Sequence, residues 1–136
     1  MNQFDEFERD LLRATMDYQN GKYVKPFLKK QARELNKVQR KETKTLVNKK
    51  TGNLQKGFKA GKVYKYRNKE LSVRAYNKSP HAHLINDGHR IIDKNGTEHG
   101  FKRGVKFMEK AEQLFENKNF EDTQQFIDDM LNKHGL

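Results

Sequence analysis

At 136 residues, with 33% apolar and 35% charged side chains, the chain is long enough for one domain around a modest core. It has no cysteine, which excludes disulfides and cysteine-based zinc sites; its start, Met1 to Glu6, has neither the basic opening nor the apolar centre of a signal peptide. The formal net charge of +11 is uneven: residues 1–21 carry −3, residues 22–78 carry +16 and residues 79–136 carry −2. No apolar run approaches the roughly 18 residues of a membrane span, so the expectation is a soluble intracellular protein. A core this small implies that part of the chain is extended, mobile, or ordered only by a partner.

The basic middle suits a polyanion or an acidic protein surface. Its plainer reading is a solvated helix face with lysine-rich strand edges that deter aggregation. Phe4, Phe7, Leu11, Ala14 and Tyr18 recur at three- and four-residue steps, predicting an amphipathic helix over 3–19 that ends at Asn20-Gly21. Its early acids suit the positive end of the helix dipole. A second helix over 24–48 tolerates Pro26 in its first turn and buries Phe27, Leu28, Ala32, Leu35 and Val38. Thr51-Gly52-Asn53 breaks it, leaving Leu54 and Phe58 as isolated anchors.

From Val63 the rhythm becomes alternating, through Tyr64 and Tyr66, a turn at Asn68-Lys69, then Leu71, Val73 and Ala75. Period two predicts an antiparallel hairpin over 63–76 with one buried face. Next comes Ser79-Pro80-His81-Ala82-His83-Leu84-Ile85-Asn86-Asp87-Gly88-His89-Arg90, with three of the five histidines. Pro80 stiffens its entry and Gly88 can take the positive φ that ends it. Ala82 to Asp87 reads as a short helix or as strand residues, and Ile91 and Ile92 as the start of a third strand. Residues 93–104 read as a long mobile loop, glycine-rich and basic. Two helices, 105–116 and 121–133, close the chain around Asn117-Lys118-Asn119. The fold class is α+β, with a small antiparallel sheet packed by N-terminal and C-terminal helices in one domain, 1–136.

These residues admit several chemistries. His81, His83 and His89, with Asp87 or Asp93, could hold a metal, but His-x-His shares a face only in a strand. The same histidines with Arg90 would suit a small basic ribonuclease, although no paired spacing makes that specific. Gly52, Gly57 and Gly61 lack the Gly-Lys-Ser/Thr of a phosphate loop. Tyr64, Tyr66, Arg67, Lys69, Arg74 and Tyr76 would suit nucleic acid, or simply half-buried strand positions.

Two local patterns in this order of elements carry a resemblance. One is Thr51-Gly52-Asn53-Leu54 after the basic helix. The more specific is Pro80-His81-Ala82-His83-Leu84-Ile85, closed by Gly88-His89-Arg90 and followed by a variable loop and a helix with Phe107-Met108 and Ala111. Over roughly residues 5–131 the chain resembles the tail-completion or neck proteins of long-tailed bacteriophages and prophages, minor head–tail joining proteins. Asn86-Asp87 departs from the acidic-then-aromatic pair usual there.

The resemblance implies no enzyme and no cofactor. It implies instead a ring, commonly of six copies, on the head-proximal end of the tail tube. That ring would meet the head connector or head-completion protein and leave a channel for DNA, contacted without sequence preference. The location implied is the head–tail interface of the virion, reached by assembly in the host bacterial cytoplasm. His89, Arg90, Phe101, Lys102 and Arg103 are the candidate partner or ring contacts. Pro80, Ala82, Leu84, Ile85 and Gly88 are the candidates for holding the turn. A small basic nucleic-acid-binding module or toxin-type ribonuclease is the alternative.

Overall fold

The chain alternates long helices with short paired strands, and a computed structural model describes residues 3–47, 52–68 and 70–136. Residue 48, Thr51 and Lys69 lie outside the described residues. Helix α1 spans Gln3–Gln19 and α2 spans Val24–Leu46. Between them Gly21 takes φ +77°, a left-handed value that turns the chain at little cost. A one-turn helix α3, Asn53–Lys56, leads into strand β1, Phe58–Ala60.

β1 pairs antiparallel with β4, Ala75–Asn77, and nested inside them β2, Tyr64–Tyr66, pairs with β3, Glu70–Ser72. The hairpin expected over 63–76 with one buried face is split: 64–66 and 70–72 form the inner pair, with β2 exposed on both faces, while Ala75 and Tyr76 belong to the outer pair, and the two are stitched by the Gly61 N–H donating to the Arg74 carbonyl at 2.7 Å. Phe58, expected as an isolated anchor, begins the outer pair and is 1% exposed. Arg67 and Asn68 turn the inner hairpin with φ of +50° and +58°. A third pair, β5, Gly88–Ile92, with β6, Glu98–Arg103, follows helix α4, Ala82–Asp87. The sheet is therefore three two-stranded pairs.

Two expectations need correction. Most of 93–104 is not loop, because β6 occupies 98–103 and only 93–97 turn. The two C-terminal helices are one, α5, Phe107–Lys133. Asn117-Lys118-Asn119 contains neither glycine nor proline, and asparagine disfavours helix only mildly, by well under about 1 kcal/mol each. Lys118 and Asp122 bridge the junction at 3.0 Å, and the Thr123 hydroxyl donates to the Asn119 carbonyl at 2.7 Å. The helix runs through.

The core lies where α2 and α5 pack together and α2 backs β1 and β4. Phe58 meets the fully buried Phe107 edge to face at 6.0 Å, and Ala32, Ala82, Ala111 and Phe115 fill around them. Further along the same helix pair Phe27 stacks on Phe126 at 4.4 Å, a geometry that adds to simple burial. Gln31 donates to Asp122 there at 3.0 Å; that bond first, and Lys118 second, lowers the pKa of Asp122.

Candidate functional site

Helix α4, the β5–β6 pair and the start of α5 form one joint, built on Asn86. Asn86 is 2% exposed, and its Oδ1 accepts the backbone N–H of Met108 at 2.9 Å. Lys106, which precedes α5, adopts left-handed geometry and caps nothing with its side chain. Asn86 thus satisfies one of the helix's orphan donors from another element. Its Nδ2 donates to Asp87 at 2.9 Å and to Glu109 at 3.1 Å. Backbone bonds complete the joint: Val105 N–H to Ile85 O at 2.9 Å and Lys106 N–H to Asn86 O at 3.0 Å.

Two glycines allow this closeness. Gly88 has φ +97°, and a Cβ there would lie 2.6 Å from the Lys102 carbonyl oxygen and 2.7 Å from the Phe101 ring. A Cβ on Gly104 would overlap the Asn86 carbonyl. Both positions therefore require glycine on steric grounds.

From this joint the β5–β6 pair stands out into solvent, with every residue from Arg90 to Arg103 exposed. A lone two-stranded hairpin is marginal in water, and here its turn is braced by Asp93. One carboxylate oxygen accepts the backbone N–H groups of Asn95 and Thr97, both at 2.9 Å; the other lies 2.7 Å from His99 Nε2. The His99 hydrogen bond, then the Thr97 N–H, hold the Asp93 carboxyl below its ordinary pKa. Gly96 supplies the positive φ of the turn.

Register sorts the candidate contact residues. His89 faces Lys102, Arg90 faces Phe101 and Gly88 faces Arg103. Directly paired residues share a face and successive ones alternate. Arg90, Phe101 and Arg103 therefore stand on one face, where Phe101 is 63% exposed with its ring over Gly88. His89 and Lys102 stand on the other, with His89 Nδ1 at 3.0 Å from the Arg90 carbonyl. The five residues are brought together on one hairpin but not on one surface.

The turn residues behave unequally. Ala82 is buried, Leu84 and Ile85 are half-buried, Pro80 is exposed and Gly88 forms the joint. Asn86, which has no assigned role in the sequence pattern, is the hub. A polar residue followed by a helix twenty residues later carries no local signal of such a contact. His81 caps α4 by position and His83 lies inside it, so the two point apart. Among the described residues no group of three or more His, Asp or Glu is placed to hold a metal ion. Tyr64, Tyr66 and Tyr76 are 40–49% exposed; the Arg67 guanidinium lies over Tyr66 at 5.2 Å and that of Arg74 over Tyr76 at 5.9 Å. No helix of the described residues is long and apolar enough to cross a membrane.

A chain with this joint matches, over residues 5–88, the HK97-gp10-like family, described as "Bacteriophage HK97-gp10, putative tail-component". The match runs from α1 to the first residue of β5, well over half the chain. The protein belongs to the HK97-gp10-like family of phage tail components. The class this defines is a structural phage tail component. No curated protein and no solved structure matches the chain significantly.

Proposed function

We propose that the protein, working as a single domain, is a tail-completion subunit. Copies of it, six in number, close into a ring on the head-proximal end of the tail tube and dock that end onto the head connector or head-completion protein. A channel is left for DNA. The family match over residues 5–88 carries this reading. It ends at the first residue of the exposed hairpin. In this role the Arg90–Phe101–Arg103 face and the His89–Lys102 face present cations around an aromatic ring to an acidic surface of a virion partner. The +16 charge of residues 22–78 suits DNA in the lumen or an acidic connector surface. Assembly takes place in the host bacterial cytoplasm and the product sits at the head–tail interface of the virion.

The test is light scattering on the purified protein, alone and with purified tails that lack their head-proximal cap. Binding to those tails, with recovery of head joining, is the expected result. Failure to bind them under any assembly condition removes the reading.

One observation favours a second reading, a nucleic-acid-binding module. Exposed Tyr64, Tyr66 and Tyr76, two of them under guanidinium groups, form a basic aromatic surface of the kind that stacks bases. Such a module holds DNA or RNA at about 0.1 M salt with a steep salt slope. A tail subunit shows only weak, non-specific attraction.

A further inference from the structure

Helix α1 is amphipathic, yet its apolar side chains are mostly uncovered. Of its seventeen residues only Ala14 is buried. Phe4, Phe7, Leu11, Leu12, Met16 and Tyr18 remain 45–66% exposed. Among the described residues no helix or strand packs along its length. Its C-terminal end is fastened instead, by Asp17 against His134 Nε2 at 2.8 Å. Most of a helix's stability in a protein comes from packing its amphipathic face, and an exposed apolar row this long marks a surface that meets another.

Charge selects the surface it meets. α1 carries five acidic and two basic residues, a net of −3, and α5 carries seven acidic and three basic, a net of −4. α2 carries eight basic and two acidic, a net of +6. The exposed apolar residues of α5, Phe120 and Ile127 among them, are thus set in a helix that repels α1. On α2 an open cleft is lined by Lys25, Pro26, Lys29 and Arg33, with Val63 beside them. Lys25, Lys29 and Arg33 recur every four residues along one edge, and Pro26 and Val63 supply apolar contact. No residue of the chain's own α1 lines this cleft.

We propose that α1 of one copy seats on the Lys25–Lys29–Arg33 cleft of a second copy. Phe4, Phe7 and Leu11, which share one face of α1, meet Pro26, Val63 and the lysine stems, while Glu8 and Asp10, on the two flanks of that face, meet the cations. The contact is head-to-tail, because the surface offered differs from the surface used, and such contacts close into rings or extend into filaments. Within the proposed cap it is one ring interface, but it requires only that the chain associates with itself.

The absence of cysteine makes the test direct. Chains carrying Leu11→Cys and chains carrying Lys29→Cys, both at exposed positions, are mixed and oxidised. A disulfide-linked pair with one chain of each kind is expected. Lys29→Glu with Arg33→Glu should lower self-association at least tenfold, and mixing with Glu8→Lys/Asp10→Lys chains should restore it. The proposal is overturned if no mixed pair forms where light scattering reports assembly, or if the protein is monomeric at every concentration. Tail binding by the same chains separates the two claims. Capped tails without a mixed pair remove the α1 contact and leave the cap; a mixed pair without tail binding does the reverse.

Discussion

Asn86 caps the helix that begins at Phe107 from another element, its Oδ1 accepting the Met108 N–H at 2.9 Å across 22 positions of sequence. That bond ties the end of α4, the base of the exposed hairpin and the first turn of α5 into one rigid corner. Asn86→Ala should cost about 1–3 kcal/mol, since it strands a buried backbone donor and leaves a void. Thermal denaturation would read this as a fall of several degrees in Tm. Asn86→Asp keeps the acceptor but sets a third carboxylate beside Asp87 and Glu109. Its deficit should shrink as the pH is lowered into the carboxylate range, whereas that of Asn86→Ala should not.

The base and the tip of the hairpin should respond differently to the same change. Gly88→Ala meets both left-handed strain and the Lys102 carbonyl. Gly96→Ala at φ +82° meets open space and should cost only the strain, roughly 1–2 kcal/mol. Amide exchange across β5 and β6 should therefore accelerate far more in the Gly88 variant. Equal acceleration in both would contradict the packed base.

Acid and base should act on α1 through His134. Its Nδ1 lies 2.9 Å from the Met130 carbonyl and its Nε2 2.8 Å from Asp17. Both ring nitrogens face acceptors, so both bonds form fully only in the imidazolium. The Met130 bond first, and Asp17 next, raise its pKa above the ordinary 6.5. A folded-state pKa above the unfolded one gives stability that is complete below about pH 6.5 and is lost as the pH rises through the raised value. The fastening of α1 should therefore loosen on the alkaline side. Titration of the His134 ring by NMR, with exchange of the α1 amides alongside, checks this. His134→Ala should abolish the pH dependence.

The hairpin should be dispensable for folding and needed for docking. Replacing Arg90, Phe101 and Arg103 together by serine removes one whole face while touching no buried residue. Circular dichroism and Tm should stay nearly constant while tail binding falls at least tenfold. The same treatment of His89 and Lys102 tests the opposite face, and the larger loss identifies the docking side.

How much of this was legible in the sequence depended on what each element buries. α1 and α2 could be read closely because apolar residues recur at helical spacing and Asn20-Gly21 stops the first. That pattern did not show that the α1 row stays uncovered, since periodicity records which face is apolar and not what meets it. β6 was hidden because a strand exposed on both faces has no alternation to read, and Gly100 with Lys102 and Arg103 mimics a loop. The β1–β4 pair joins residues 58 and 77 across an intervening hairpin, a closure no local window contains. Asparagines between two apolar periods resembled a break in α5, yet the i, i+4 bridge from Lys118 to Asp122 sustains it. The five contact candidates were found on one hairpin, but their division between two faces followed only from register.

The central claim is that this chain closes the head-proximal end of a phage tail. Electron microscopy of capless tails incubated with the purified protein tests it most directly. The account predicts added ring-shaped density at that one end, with an open axial channel and recovered joining to heads. Tails that stay bare at that end, or protein bound evenly along the tube, would contradict it.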